Sequence, residues 1–198
     1  SFTNMSTLFL GVEILSIPLY ILAGSRKKDI RSVEASIKYF ILGSFATGIM
    51  LLGIALIYGA TGSFDLATIK AAASTMPMFM IGITLLCISF AFKISAVPFH
   101  FWVPDVYTGS PTFITAFMST FVKVAAFGAF YHLIASTFTV VPSYLGGTFI
   151  GLSAITILAG NIAATFQTNV KRLLAFSGVS QAGYMLMVFP YLSAGSKS

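Results

Sequence analysis

Long apolar runs, separated only by short polar connections, dominate this sequence and indicate a protein that lies within a lipid bilayer. Only 8% of the 198 residues are charged, whereas water-soluble domains carry about 25%. A bilayer core of about 30 Å is crossed by about 20 apolar helical residues, and lipid tolerates only helices or closed barrels. The alternation of barrel strands does not occur in any segment. The sequence therefore predicts an all-α, polytopic transmembrane helical bundle.

Apolar windows predict about six membrane-crossing helices. The windows cover residues 2–23, 35–58, 76–107, 112–138, 145–166 and 173–191. Together they predict a single transmembrane domain over residues 1–198. Because the sequence starts at Ser1 in apolar territory, without a Met, and stops soon after the last window, we expect a piece of a longer membrane protein.

The basic residues concentrate in two odd-numbered connections and give the chain a net charge of +6. Lys and Arg are enriched in cytoplasmic loops, so we expect the first, third and fifth connections on the cytoplasmic side. The basic residues form no stripe with interleaved aromatics, so we expect no nucleic-acid partner. The residues in these two connections are Arg26, Lys27, Lys28, Arg31, Lys171 and Arg172.

The third window is too long for one straight crossing. Its 32 residues would span about 48 Å as a continuous helix, and it contains Pro98 and Pro104, which interrupt helical hydrogen bonding. We therefore predict a break at residues 92–97, with Pro98 starting a second half-helix. Interrupted helices of this kind are typical of ion pathways.

Four ionisable side chains, Glu13, Lys38, Lys93 and Lys123, fall inside the apolar windows. Each costs about 2.5–3.5 kcal/mol near the bilayer centre, so they should face protein or water. Glu13 is either a structural partner for a lysine or a carboxylate that exchanges protons. Burial disfavours the charge of Lys93 and Lys123, and a carboxylate neighbour restores it, which favours a proton-carrying role. Lys38, near its helix end, can extend to the interface.

Other polar residues carry weaker signals. His100, beside the predicted break, either takes protons from Lys93 or caps the half-helix. His132 is expected at the interface, and Asp105 in a loop or turn. The single cysteine excludes an internal disulfide and a four-thiolate cluster supplied by this chain alone. Dinucleotide, P-loop and nucleophile-elbow motifs and metal-ligand pairs at helical spacing are absent from the sequence.

The sequence around the predicted break resembles one family closely. Residues 92–111 read FKISAVPFHFWVPDVYTGSP, and GVEILS (11–16), IKYFILG (37–43), VKVAAFG (122–128) and KRLLAFS (171–177) accompany it. In this order they are similar to the Mrp-antiporter-like membrane subunits of proton-translocating NADH:quinone oxidoreductase, respiratory complex I. Within that family, residues 105–109 favour the subunit N group.

The resemblance implies a fold of about fourteen helices with two inverted five-helix repeats, of which this chain would form the fifth to the tenth. It implies that Glu13, Lys93 and Lys123 translocate protons, with Lys38 in a supporting role, and we expect His100 to support them too. Relatives often have a histidine where this chain has Gln181, which relays hydrogen bonds but carries no charge.

We therefore expect a multi-pass proton-translocating subunit of an NADH:quinone oxidoreductase, in a bacterial inner membrane or an organellar equivalent. The implied partners are the other membrane subunits and lipid, and we expect no small-molecule substrate to be bound except protons and water. We expect no cofactor in this chain, with quinone, flavin and iron–sulfur clusters in other subunits. Two alternatives stay open: an Mrp-type Na+/H+ antiporter subunit, and a structural spacer with static ion pairs. In the working hypothesis, Glu13 pairs with Lys93, and separation of the pair sends the proton through water to Lys123.

Overall fold

A computed structural model describes residues 2–72, 76–137 and 143–190, and these residues are predominantly helical. A π-helical turn, Met118–Val122, joins the sixth and seventh α-helices. The predicted all-α architecture is confirmed for the described ranges. The α-helices are α1 (Met5–Ala23), α2 (Ile30–Thr61), α3 (Leu66–Ala71), α4 (Pro77–Lys93), α5 (Trp102–Gly109), α6 (Thr112–Phe117), α7 (Lys123–Ser136), α8 (Ser143–Thr165) and α9 (Val170–Leu186).

Five segments of the described chain are long and apolar enough to cross a membrane: Met5–Ala23, Ile30–Thr61, Thr112–Ala135, Leu145–Thr165 and Val170–Pro190. The fourth helix, α4, is an apolar helix of 17 residues, about 26 Å long. Helix α4 and the segment after it correspond to the third of the six predicted crossings. The chain is therefore an integral membrane protein.

Polar caps set the starts of several helices. The side chains of Asn4, Asp29, Asp65 and Asn169 accept hydrogen bonds from the first-turn N–H groups of α1, α2, α3 and α9, which otherwise have no partner within the helix. Gly62 ends α2 in the left-handed region, at φ 70°, where glycine is favoured. The cap at Asp29 starts α2 five residues before the predicted window. The short α3 was not predicted, since six residues show no clear period.

The connections alternate between two faces of the bundle. The end of α5 packs against the first turn of α2, where a Cβ on Gly109 would lie 2.4 Å from the Arg31 carbonyl oxygen. Lys171 Nζ in α9 donates to the Ser110 carbonyl oxygen at 3.0 Å. The first, third and fifth connections therefore share one face, here called the basic face. The segments before α1 and α3 meet at the opposite face through an isolated β-bridge. The first, second, third and fifth connections agree with the predicted alternation, the predicted fourth connection lies mostly outside the described residues, and the cytoplasmic assignment of the basic face stays a prediction.

Aromatic packing joins the helices around two buried clusters. Phe90 of α4 stacks on Phe130 of α7, with ring centroids 4.9 Å apart. Nearer the basic face, Tyr39 of α2 stacks on Trp102 of α5 at 4.8 Å. The second cluster fixes α5 against α2 and so positions the segment that follows the break.

Candidate functional site

The predicted break is present between α4 and α5. Helix α4 ends at Lys93, and α5 begins at Trp102. Side chains satisfy backbone groups freed by the interruption: the Val97 N–H donates to Thr156 Oγ1 at 3.0 Å, and the Trp102 indole N–H donates to the Phe92 carbonyl oxygen at 3.2 Å. Ile94, Ser95 and Ala96 are thus enclosed by protein, as backbone at membrane depth requires, whereas Pro98 and Phe101 are exposed.

The predicted start of the second half-helix at Pro98 is wrong. Pro98 lies in a turn segment, and α5 begins four residues later. Ser95 adopts a left-handed conformation, φ 64°, and the turns that follow bring the Trp102 indole back to the end of α4. Pro104 instead occupies the first turn of α5, where its missing N–H costs no helical hydrogen bond.

Neutral hydroxyl groups surround the Lys93 ammonium group. Lys93 Nζ donates to Ser16 Oγ at 2.8 Å and to the Tyr20 hydroxyl at 3.4 Å, both on α1. Ser16 and Tyr20 are each only 4% exposed. Ser16 lies seven residues before the end of α1, which places it about 10 Å from the basic face. Lys93 therefore points into the protein, as its predicted role requires.

Glu13 lies one turn before Ser16 on α1 and is half-buried. Its Oε1 accepts a hydrogen bond from Thr47 Oγ1 of α2 at 2.8 Å. In the described chain, all ion pairs lie elsewhere, so Glu13 and Lys93 do not form a direct pair in this conformation. Each charge is held by hydroxyl groups instead. Pairing of Glu13 with Lys93 in a loaded state stays a prediction.

Lys123 is the most deeply buried lysine of the site, with 7% of its surface exposed. It follows the π-helical turn directly and begins α7. Its Nζ donates to the Gly178 carbonyl oxygen of α9 at 2.6 Å. A Cβ on Gly178 would lie 3.3 Å from that Nζ, so glycine lets the ammonium group approach the α9 backbone. The π turn, a feature frequent at functional sites, was not predicted from the sequence.

Lys38 belongs to a separate set of charges near the basic face, here called the rim network: Glu34, Lys38, Asp105 and Arg172. Lys38 Nζ lies 2.7 Å from Glu34 Oε1 and 2.9 Å from Asp105 Oδ2, and an Arg172 guanidinium nitrogen lies 3.0 Å from Asp105 Oδ1. A cavity of about 270 Å³ adjoins these groups. The expected loop or turn role of Asp105 is wrong, since this residue lies in the first turn of α5 and links α5 to α2 and α9.

The remaining predicted residues lie outside these contacts. His100 is half-buried, and its Nδ1 has no hydrogen-bond partner in the described chain. Its ring centroid lies 6.4 Å from that of Phe176. A His132 ring nitrogen, Nε2, contacts the Phe2 carbonyl oxygen at 3.2 Å, at the face opposite the basic one, which agrees with an interfacial position. Gln181 has an exposed side chain.

A cavity of about 330 Å³ lies between α1, α4 and α7. Lys93 and Ser16 line it, together with Val122 and Ala125 on either side of Lys123 in the sequence. It therefore extends from the Lys93 side chain to the helix that carries Lys123, with a mostly apolar lining whose polar residues are Thr7, Ser16, Tyr39 and Lys93. The described residues contain no His, Cys, Asp and Glu group able to hold a metal ion. This arrangement suits the holding and release of protons.

Residues 3–196 match the family described as "NADH:quinone oxidoreductase/Mrp antiporter, TM". The chain belongs to this family. The match covers nearly the whole chain, so the resemblance seen in the sequence around the break is confirmed. The chain is thus related both to membrane subunits of NADH:quinone oxidoreductase and to Mrp antiporter subunits.

Individual relatives sharpen this relationship. The chain is 79% identical to the NADH-quinone oxidoreductase subunit N of Cytophaga hutchinsonii. The alignment covers all of this chain and 43% of that relative. It is similar to a chain of respiratory complex I from Thermus thermophilus with bound aureothin, at 40% identity and a TM-score of 0.83, over 96% of this chain and 41% of the other. An Mrp complex from Dietzia sp. matches at 28% identity and a TM-score of 0.85, over 95% and 36%. The subunit N resemblance is confirmed, and the chain spans less than half of these relatives.

Proposed function

We propose that this chain forms the proton-input half of a translocating subunit in an NADH:quinone oxidoreductase. The observation that carries the proposal is the inward placement of Lys93 and Lys123, neither within ion-pair distance of a carboxylate in the described chain. Lys123 lies eleven residues after the start of α6, about 16 Å from the basic face. Lys93, hydrogen-bonded to Ser16, lies about 10 Å from that face, so in this proposal a proton moves laterally and deeper to reach Lys123.

The two lysines are suited to changing charge. Without a fixed counterion, a buried ammonium group depends on hydrogen bonds alone, so a nearby change of charge alters its proton occupancy. In this proposal, Glu13 moves toward Lys93 and favours its charged form. Retreat of Glu13 releases the proton to water in the cavity between α1, α4 and α7. Lys123 then takes the proton, and its ammonium group donates a hydrogen bond to the Gly178 carbonyl oxygen.

We further propose that redox chemistry takes place in other subunits. The names of the relatives specify NADH and quinone, and flavin and iron–sulfur clusters in other subunits would connect those two reactants. The partners of this chain would be further membrane segments of its own subunit, neighbouring membrane subunits and lipid. Its exposed apolar side chains, such as Ile14 and Phe113 at 72% and 80% exposure, suit such surroundings.

A second candidate is an Na+/H+ antiporter subunit, which the likeness to the Mrp complex supports. The interior charges disfavour it. The described interior carries two lysines, Lys93 and Lys123, and one carboxylate, Glu13, and ammonium groups repel Na+. Sodium-dependent transport by the intact assembly in vesicles would favour this candidate over proton translocation.

The test replaces Lys93 by Met in the full-length subunit within the assembled complex, reconstituted in liposomes. We expect fewer protons pumped per NADH oxidised, because the variant lacks the side chain that carries the proton. Lys27→Met, at an exposed position in the first connection, is the matched control and should pump normally. Unimpaired pumping and quinone reduction by Lys93→Met would contradict the proposal.

A further inference from the structure

We propose that Thr47 is a positioning residue that keeps Glu13 hydrogen-bonded in both protonation states, and so lets this carboxyl group change charge at membrane depth. The inference rests on the proposed function, because it assigns Glu13 a cycle of proton uptake and release. It concerns a hydroxyl group on α2 for which the sequence offered no signal, since threonine is common in apolar helices of this composition.

The geometry at Thr47 provides one donor and two acceptors. Its Oγ1 lies 2.8 Å from Glu13 Oε1 and 3.0 Å from the Gly43 carbonyl oxygen. A hydroxyl group carries a single hydrogen and two acceptor lone pairs. The two contacts therefore describe alternative hydrogen bonds, and rotation about the Cβ–Oγ1 bond exchanges them.

Each alternative fits one protonation state of Glu13. When Glu13 is a carboxylate, the Thr47 hydroxyl donates to it. When Glu13 is protonated, its O–H donates to Thr47 Oγ1, and the Thr47 hydrogen turns to the Gly43 carbonyl oxygen. Thr47 keeps its own proton throughout, and the proton on Glu13 comes from and returns to water. Both states leave the carboxyl group with a partner, which lipid surroundings demand.

The neighbouring groups make this arrangement specific. Gly43 is packed so closely that a Cβ there would lie 2.3 Å from the Tyr20 hydroxyl oxygen. The same hydroxyl lies 3.4 Å from Lys93 Nζ. Lys93 of α4 and Tyr20 of α1 are titratable groups that interact electrostatically with Glu13. Thr47 supplies the hydrogen bond to Glu13 from α2.

The test replaces Thr47 by Val, an isosteric side chain without a hydroxyl, in the full-length subunit of the assembled complex. Thr61→Val is the matched control, because Thr61 lies on the same helix and donates to the carbonyl oxygen four residues earlier, Ile57, at 2.8 Å. Pumping per NADH oxidised should fall roughly tenfold in Thr47→Val, as expected for loss of a hydrogen bond to a charged group. It should change less than about twofold in the control.

Further readouts separate positioning from packing. The pH profile of pumping should be displaced by about one pH unit in Thr47→Val, because the charged and neutral carboxyl groups lose different bonds. Thr47→Ser, which retains the hydroxyl, should restore pumping. In a Glu13→Gln background, Thr47→Val should add little further loss. If Thr47→Val does not assemble, Thr47→Ala measured against Thr61→Ala takes its place.

The outcomes distinguish this inference from the proposed function. If Glu13→Gln and Lys93→Met impair pumping while Thr47→Val behaves like Thr61→Val, the role of Thr47 is overturned and the proposed function stands. If Thr47→Ser is as impaired as Thr47→Val, the methyl packing matters and the hydroxyl does not, which also overturns it. If Glu13→Gln and Lys93→Met both pump normally, the proposed function is contradicted, and the role of Thr47, which rests on it, is contradicted with it.

Discussion

The rim network and the mid-membrane lysines hold their charges in different ways. In the rim network, Lys38 and Arg172 share Asp105 through ion pairs of 2.9 and 3.0 Å, with side chains that are 37% to 42% exposed. Deeper in the bundle, Lys93 donates to hydroxyl groups and Lys123 to a backbone carbonyl oxygen. Opposite charges are paired near the surface, and charges at depth have neutral partners.

This difference separates a structural use of charge from a titrating one. An ion pair favours the charged form of both partners, so the rim network stays charged and ties α5 to α2 and α9. A neutral hydrogen-bonding partner favours the charged form less strongly, so Lys93 and Lys123 can respond to a nearby carboxylate or an arriving proton. Variants in the rim network should therefore mainly affect stability, and variants at Lys93 and Lys123 should mainly affect pumping.

The largest difference is expected between Lys123→Met and Lys38→Met in the assembled complex. Removal of a proton-transferring side chain should lower pumping by roughly 100-fold, whereas Lys38→Met should lower it only a few-fold because Arg172 still pairs with Asp105. Proton uptake by reconstituted vesicles during NADH oxidation measures both. Equal losses in the two variants would remove the distinction between the regions.

A smaller effect is expected for Gly43→Ala in α2. The added Cβ would lie 2.3 Å from the Tyr20 hydroxyl oxygen, so the Tyr20 side chain must shift and its contact with Lys93 changes. We expect a cost of about 1–3 kcal/mol in stability, measured by thermal unfolding of the complex, together with reduced pumping. The control is Gly48→Ala, because a Cβ at Gly48 meets nothing within 4 Å among the described residues. Identical behaviour of the two variants would contradict the close contact.

A modest effect is expected for Asp105→Asn. The two ion pairs of Asp105 are partly exposed, and such pairs contribute about 0–1 kcal/mol each. Thermal stability should therefore fall by about 1 kcal/mol, and pumping should change less than about twofold, since Lys38 retains Glu34 as a partner. A loss of pumping as large as that of Lys123→Met would make Asp105 part of the proton path.

The smallest effect is a salt dependence. The stability difference between the native complex and Asp105→Asn should shrink as salt rises from about 0.1 to 1 M, because the Debye length falls from about 10 to 3 Å. The difference in pumping between the native complex and Lys123→Met should not change, since Lys123 is buried. Parallel salt titrations of unfolding and of pumping measure the two differences. A salt-dependent Lys123 effect would indicate that water and ions reach this side chain freely.

The features that could be predicted from the sequence are those set by hydrophobicity, by proline and by isolated charges. The lengths of the apolar windows predicted the membrane crossings. The third window is too long for one crossing and contains Pro98, which predicted the break. Isolated charges within the windows identified Glu13, Lys93 and Lys123. All three are polar residues with protein partners in the described chain. Their translocating roles stay a prediction.

The details that were missed depend on contacts between helices. The start of α5 at Trp102 reflects an indole that reaches back to Phe92, and the ion pairs of Asp105 join helices distant in sequence. The π turn before Lys123 likewise has no local pattern. The partner of Glu13 is the hydroxyl of Thr47, a residue that looks like many others in an apolar helix.

The most direct test of the account neutralises two charges at once, in the double variant Glu13→Gln and Lys93→Gln. The measurement is the number of protons pumped per NADH oxidised by the reconstituted complex, with assembly verified by quinone reduction. If these side chains exchange protons, the ratio should stay well below that of the native complex. A native ratio in the assembled double variant would show that the two charges are only a structural pair, and would contradict the account.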